Sequence, residues 1–476
     1  MYLYPNKRDM ILLFLLNILL PEDSSKLSKV KNAFAVSWDG YKKCAFGKDF
    51  LQPISCKGSN WLNASLTLID SLDTLWIFGM KDEFNEAVDF LEKNFEYVAS
   101  GSVFELIIRV IGGLMSAYQL SGRNSLLKIA ETFATKLLIS FNTPTKLPIP
   151  NIDMTAGTPS SWGWAPRSTF LSHAGSLSPE LMTLSQHSGN ELFLNISDNI
   201  LDFFFTHKNF DGLWPLRIDF NTGSFASLDF SFDAYGDSFY EYLLKLFILT
   251  DGQCVRCKEL YKDSINGIRK YLLREGPEYT YVVRTKDSIP DNSLSYLSFF
   301  IPGMISLGSK YIDESDIELA IKLGETAAKW HNQTNTGLMG DAFELTKDNK
   351  IVFINPEYKL RPEYIESCFY LYRFTGDEIW RERGWKVIES VIRNCRANFG
   401  FGELRNVNNP NLGIEDIQDS FLLAETFKYA YLLFSNSSVI PLDEYVFTTE
   451  AHPLKHFDKK WMKKHYADKK GFVIKN

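Results

Sequence analysis

The chain is short of the features that divide, anchor or advertise a protein. Its 476 residues contain no stretch rich in Pro, Ser and Gly that reads as a linker. Length would permit two or three domains, but one large domain is therefore the expectation. Positive charge is not in excess: the net charge of -7 argues against a nucleic-acid partner. Cysteine is scarce, at six residues. Cys254-x-x-Cys257 lacks the second pair or nearby His that a zinc site needs. Cys44 and Cys56 either pair in an oxidising compartment or stay free thiols, and spacing does not decide. No EF-hand loop is present, so no calcium site is directly legible. The N-terminal apolar run, Met10 to Leu20 after Lys7 and Arg8, has 11 residues. That is too short to span a bilayer comfortably and suits a signal-peptide core. Pro21-Glu22-Asp23 follows in place of a small-x-small cleavage site. A signal peptide over residues 1–25, an uncleaved membrane anchor and a buried helix all stay open.

What is present is a repeated helical pattern. Leu120-Ser121-Gly122-Arg123, His187-Ser188-Gly189-Asn190, Thr250-Asp251-Gly252 and Phe374-Thr375-Gly376-Asp377 each follow an apolar-periodic segment and precede another. Gly after a helix ends it with a left-handed residue, and the next helix starts within a few positions. Phe84, Ala87, Val88 and Leu91 form such a stripe between Asp82 and Phe95, and Ala424 to Leu433 is similarly apolar on one face. Ile351 to Ile354 reads as a short strand. Helical hairpins within one domain suggest an α-solenoid or a closed α/α barrel, between which periodicity cannot choose. The Lys-rich segment 458–476 reads as a solvated tail. Four Asn-x-Ser/Thr triplets, at Asn63, Asn195, Asn332 and Asn436, fit a secretory-pathway protein.

Three acidic segments stand out: Ser102-Val103-Phe104-Glu105 with Arg109, Gly236-Asp237-Ser238-Phe239-Tyr240-Glu241-Tyr242, and Leu360-Arg361-Pro362-Glu363-Tyr364-Ile365-Glu366. Each acid sits among aromatics near an expected helix start or Gly turn. Carboxylates for proton transfer beside rings for stacking on pyranose faces are what a sugar-cleaving site needs. Pro362 suits the first position of a helix, which puts Glu363 in the first turn. The helix dipole and Arg361 then favour its carboxylate, as a water-activating base requires. The plain alternative is a Glu that steadies the helix. Glu366 lies on the same helix face, placed to bind sugar hydroxyls. Asp237 opens the expected helix Ser238 to Leu244, either as its N-cap or as a proton-transfer group. Glu105 lies in a strongly apolar run, where a raised pKa would suit a general acid. Arg109, one turn on, opposes that shift if the two pair.

These segments, with Leu68-Ile69-Asp70-Ser71-Leu72-Asp73-Thr74-Leu75-Trp76, Glu425-Thr426-Phe427-Lys428-Tyr429 and Thr449-Glu450-Ala451-His452-Pro453 in this order, resemble the class I α-mannosidases of glycoside hydrolase family 47. The likeness runs from about Val30 to Phe457. The resemblance implies an (α/α)7 barrel with minor β-hairpins over 30–457, plugged at one end by a C-terminal hairpin. It implies an inverting, Ca²⁺-dependent α-1,2-mannosidase acting on high-mannose N-glycans in the endoplasmic reticulum or Golgi, as a monomer. Glu105 then matches the acid, Glu363 the base and Asp237 a third essential carboxylate. Which of Glu105 and Asp237 protonates the leaving oxygen stays open. Thr449 matches the residue whose carbonyl and hydroxyl bind Ca²⁺, with waters held by Glu366, Glu425 and Glu450. Phe421 matches a stacking aromatic, and Arg109 and Arg361 shape the same pocket.

The chain departs from the family pattern in places. Tyr235 stands where the endoplasmic-reticulum members carry Arg, and Ser295-Tyr296-Leu297 replaces the Asp-His-Leu of hydrolytic relatives. Phe299 and Ala328 stand where the family's disulfide cysteines fall, and Gln418-Asp419-Ser420-Phe421 replaces Met-Glu-Ser-Phe. The missing His favours a second reading, a glycoprotein degradation factor that recognises N-glycans with weak or no hydrolysis. A helical-repeat scaffold without chemistry explains the hairpins but not the ordered acidic motifs.

Overall fold

The computed structural model describes residues 20–474, so residues 1–19 of the segment read as a signal peptide or anchor lie outside the described residues, while Ser24 and Ser25 belong to the first helix of the barrel. Helices pair along the chain. The first helix, α1 (Ser24–Cys44), waits for its partner until the end of the barrel. Between them come α2 (Leu72–Ile77) with α3 (Lys81–Asn94), α4 (Gly112–Ser121) with α5 (Asn124–Leu137), and α6 (Ser178–Ser188) with α7 (Glu191–Thr206). Next are α8 (Asp237–Leu249) with α9 (Val255–Gly267), α10 (Ile301–Tyr311) with α11 (Ile317–His331), and α12 (Glu363–Thr375) with α13 (Ile379–Asn394). Last, α14 (Phe427–Phe434) packs on α1. The even-numbered helices touch in sequence, and the turn leading into α14 returns to α2, so seven hairpins close an (α/α)7 barrel.

Local chemistry sets the hairpins. Gly122, Gly189 and Gly376 end α4, α6 and α12 with φ of 74°, 74° and 66°, the left-handed caps expected of them. On α3, Phe84, Ala87, Val88 and Leu91 are buried, while Asp82 and Glu83 in its first turn favour the positive end of the dipole. The inner helices read differently, because both faces are covered. Every residue of α8 after Asp237 is buried. The apolar stretch Val103–Ser121 is long enough for a membrane span but forms an inner barrel helix.

Short hairpins connect the helices. Ile351–Asn355 is a strand, as the sequence suggests. Tyr445–Phe447 pairs antiparallel with Pro453–Lys455, and this hairpin packs on α4 and α8 inside the barrel. Phe447 lies 5.7 Å from Phe369 on α12 and 5.6 Å from Tyr429 on α14, so the hairpin closes one end. Cys44 and Cys56 are bonded, as are Cys254 and Cys257, while Cys368 and Cys395 are free and buried. The Lys-rich segment folds from Lys459 to Tyr466 into α15. Its lysines stay exposed, but Met462 and Tyr466 are buried and Tyr466 donates to Asp198 at 3.0 Å.

Candidate active site

The acidic segments enter at the amino ends of inner helices. Glu105 lies in the first turn of the Val103–Ser121 helix, Asp237 is the first residue of α8 and Glu363 the first of α12. Helix starts carry free N–H groups and partial positive charge, so three such ends converging on one space suit acids. Arg109 and Glu425 lie on π-helical turns, Leu106–Ile111 and Leu422–Thr426, just before α4 and α14. Such turns swing a side chain out of the α-helical register and recur at functional sites. Glu105, Arg109, Asp237, Arg361, Glu363, Glu366, Phe421, Glu425, Thr449 and Glu450 all line one cavity of about 330 Å³. The structure thus brings together every site residue expected from the sequence.

The electrostatics differ from the expectation at three positions. Glu363 is not a low-pKa carboxylate: burial pushes it up to about 7, although Arg361 pulls the other way from 3.8 Å. Its Oε2 is buried without a hydrogen-bond partner. Helix position is legible in sequence; the depth of the barrel, which decides the sign, is not. Pro362 also falls one residue earlier, at the N-cap position. Asp237 is not the N-cap of α8; Gly236 is. Asp237 accepts the Ser238 N–H at 2.8 Å, and burial raises it to about 8, aided by Asp233, Glu241 and Glu363. Glu105 is not wrapped in apolar side chains: Arg109 Nε donates to its Oε2 at 2.7 Å. Arg109 also reaches Glu450, Ser420 at 3.2 Å and Asp70 at 3.6 Å.

Beyond these, the wall is crowded with oxygen. Glu366 accepts from Tyr429 at 3.2 Å, and burial plus the Glu241 charge raise it to about 8. Burial raises Glu450 to about 8 against the pull of Arg109. Glu425 is held well above the usual range by burial, Glu450, Glu363 and Glu366 together. Mutually repelling carboxylates of this kind call for a cation. Among the described residues no group of three or more His, Cys, Asp or Glu is arranged to hold a metal directly. Thr449, with hydroxyl and carbonyl oxygens of the kind a hard cation takes, lines the same cavity as Glu366, Glu425 and Glu450. Phe421 forms the aromatic wall between two cations, 5.9 Å from the Arg109 guanidinium and 5.8 Å from that of Arg361.

The turn that carries Thr449 and Glu450 is held from below by charges to which the sequence reading gave no role. Thr448 N–H donates to the His452 carbonyl at 3.0 Å, and Ala451 takes a left-handed φ of 57°. Lys428 donates to the Ala451 carbonyl at 2.7 Å and pairs with Asp73 at 2.8 Å. Lys245 donates to the Thr448 carbonyl at 3.2 Å and pairs with Glu241. Thr449 N–H donates to the Tyr242 hydroxyl at 3.2 Å, which itself donates to Glu180. His452 Nδ1 meets Asp73 at 2.8 Å. Burial works against a charged ring there, but Asp73 and Asp70 outweigh it and hold His452 above its ordinary value. Gly112 and Gly113 leave the room: a Cβ on them would lie 3.0 Å and 3.3 Å from the His452 ring. The available signal was ionisable residues inside apolar runs, as in Leu68 to Trp76 and around Lys428.

Comparison with known proteins agrees with this fold. The profile of Glycosyl hydrolase family 47 matches residues 33–456. Over 449 residues, the chain is 35% identical to mannosyl-oligosaccharide 1,2-alpha-mannosidase IA of Sus scrofa, covering 90% of this chain and 67% of that protein. It is 36% identical to the endoplasmic reticulum mannosyl-oligosaccharide 1,2-alpha-mannosidase of Homo sapiens, over 89% of this chain and 63% of that one. The solved alpha-1,2-mannosidase from Trichoderma reesei superposes with a TM-score of 0.86 at 26% identity, covering 92% of this chain and all of that one.

Proposed function

The chain belongs to glycosyl hydrolase family 47, and on that footing we propose that it removes terminal α-1,2-linked mannose from high-mannose N-glycans in the secretory pathway, with inversion and with Ca²⁺ bound. One observation carries the reading: acids from the starts of three inner helices, two arginines and an aromatic ring meet in a single cavity above the Thr449–Glu450 turn. The relatives named for this activity align over nearly the whole chain, which supports the same substrate class.

An inverting hydrolase needs one group to give a proton to the leaving oxygen and another to take one from water. Glu363 is the base. It lies 3.8 Å from Arg361 on the cavity wall, and its Oε2 has no hydrogen-bond partner among the described residues. Of the two candidate donors, Asp237 suits the acid better. Burial holds its proton, and among the described residues no Lys or Arg pairs with it. Glu105 is committed to Arg109, so it orients that guanidinium and the water or sugar hydroxyls beside it. Phe421 offers a face to the pyranose ring. Thr449 would hold the cation through its carbonyl and hydroxyl oxygens, with Glu366, Glu425 and Glu450 fixing its waters. Bound there, Ca²⁺ would supply positive charge and ligand sites for sugar hydroxyls.

Digestion of a purified nine-mannose N-glycan, with and without a chelator, tests the proposal. Mannose release that stops with the chelator and in Glu363→Gln supports it. No release by a folded, calcium-supplied chain would replace it with the glycan-recognition reading.

A further inference from the structure

The cavity wall carries a run of rings that proton transfer does not use. Phe104 and His173 both line the cavity and stack at 4.7 Å with planes 9° apart. Tyr235 lines it too and stacks on Phe170 at 4.2 Å. From these the rings continue outward. Trp162 lies 5.3 Å from His173 and 5.4 Å from Phe170. Trp164 lies 5.8 Å from Trp162, nearly parallel to it, and 6.4 Å from Tyr235. Trp164 is 63% exposed and Tyr235 40%.

This is not how a cluster built only for stability presents itself. A fold gains by burying indoles, yet here one of the two, Trp164, is the most exposed ring of the cluster. The local backbone sustains the arrangement. Ala165 is buried and its N–H returns to the Trp162 carbonyl at 3.1 Å, closing a turn that leaves Trp164 outside. Tyr235 is held in a left-handed conformation, φ 72°, with its carbonyl accepting from Ser172 at 2.9 Å. At the inner end, His173 Nδ1 is buried without a hydrogen-bond partner. Burial lowers that imidazole to about 4, so it is neutral at physiological pH and can exchange a hydrogen bond with an uncharged hydroxyl. The cavity itself, at about 330 Å³, is small among ligand pockets, so most of a longer oligosaccharide must lie outside it.

We propose that Trp162, Trp164 and Tyr235 form a stacking platform for the oligosaccharide rings beyond the disaccharide that spans the cleaved bond, with His173 joining the platform to the cavity. Pyranose faces bearing C–H groups stack on exposed aromatic rings, and a ladder of rings leading out of a polar cavity is shaped for a chain of sugars rather than for one. The proposal rests on the reading of the cavity as a mannose site, and it assigns the platform to substrate length and branch preference rather than to bond cleavage.

The test uses full-length Trp164→Ala, Trp162→Ala and Trp164→Phe chains. Each is assayed with α-1,2-mannobiose and with a nine-mannose N-glycan, and glycan binding is measured by calorimetry. Trp164→Ala is expected to raise KM and Kd for the nine-mannose glycan roughly three- to tenfold, equivalent to about 0.6–1.4 kcal/mol. Its kcat and its KM for the disaccharide stay unchanged, and Trp164→Phe keeps most of the binding. An unchanged KM and Kd for the large glycan overturns the platform, as does equal weakening for both substrates. If the parent chain hydrolyses neither substrate, the proposed activity fails, and calorimetry alone judges the platform. Glycan binding that Trp164→Ala weakens then sustains it; absence of glycan binding by the parent refutes it.

Discussion

Replacing Lys428 by Met is the sharpest probe of how the cavity floor is built. Lys428 and Asp73 have no exposed side-chain area, and they meet at 2.8 Å. Burial alone would raise Asp73, but Lys428 and His452 hold it below the usual carboxylate value. Removing the ammonium leaves a buried carboxylate with only His452 and a long 3.4 Å bond from the Thr74 hydroxyl. Breaking one side of a buried pair costs about 3–5 kcal/mol. A chain of this length unfolds with an entropy near 1 kcal/mol per degree, so Tm should fall by roughly 3–5 °C. The same ammonium donates to the Ala451 carbonyl at 2.7 Å, so its loss also loosens the turn that presents Thr449 and Glu450. Groups that orient metal ligands typically matter roughly 10–100-fold in metal affinity, and the calcium dependence of activity should move to higher concentration by that order. Thermal unfolding in excess calcium gives the first quantity and a calcium titration of mannose release the second. Asp73→Asn in the Lys428→Met background should cost less than the sum of the two single changes, by about 0.5–3 kcal/mol. A variant that melts within about 1 °C of the parent and titrates with calcium identically would refute this account of the floor.

Other outcomes follow from the same site. Glu363→Gln should lower kcat roughly 10²–10⁴-fold, the range for loss of a general base, without lowering Tm, since an amide there no longer needs to bury a charge. The pH–rate profile should fall on the acid side as Glu363, near 7, takes a proton and on the basic side as Asp237, near 8, loses one. Calcium beside these acids should draw the acid limb lower. Metal-free stability should also depend on pH. The folded value of Glu363, about 7, lies above its ordinary 4.5, so the folded chain holds that proton more tightly. The associated stability is complete below about pH 4.5 and lost as pH rises through about 7, a difference of order 3 kcal/mol. Melting curves of the chelated chain at about pH 6 and about pH 8.5 should show roughly 1.4 kcal/mol of that loss, and added calcium should reduce it.

Much of the framework was legible because its signals are local. A Gly that needs a left-handed φ, as at positions 122, 189 and 376, marks a helix end whatever surrounds it. The grouping of the acids came from their ordered motifs, and the structure places all of them on one cavity. What stayed hidden depends on depth and on distant partners. Glu363 has an arginine and a helix start beside it in sequence, which point to a low pKa; enclosure inside seven helix pairs reverses the sign. The floor joins Asp73 to residues 355 and 379 positions away, Lys428 and His452, and no spacing rule reaches that far. The rim was invisible for a related reason. Trp162 and Trp164 lie in a connection that reads as a loop, and only the fold sets them against Phe170 and Tyr235.

The most direct measurement follows mannose release by proton nuclear magnetic resonance as it happens, with α-1,2-mannobiose and the calcium-supplied chain. The account predicts β-mannose as the first product, before mutarotation, and none in the presence of a chelator. α-Mannose appearing first, or release that ignores the chelator, would contradict it.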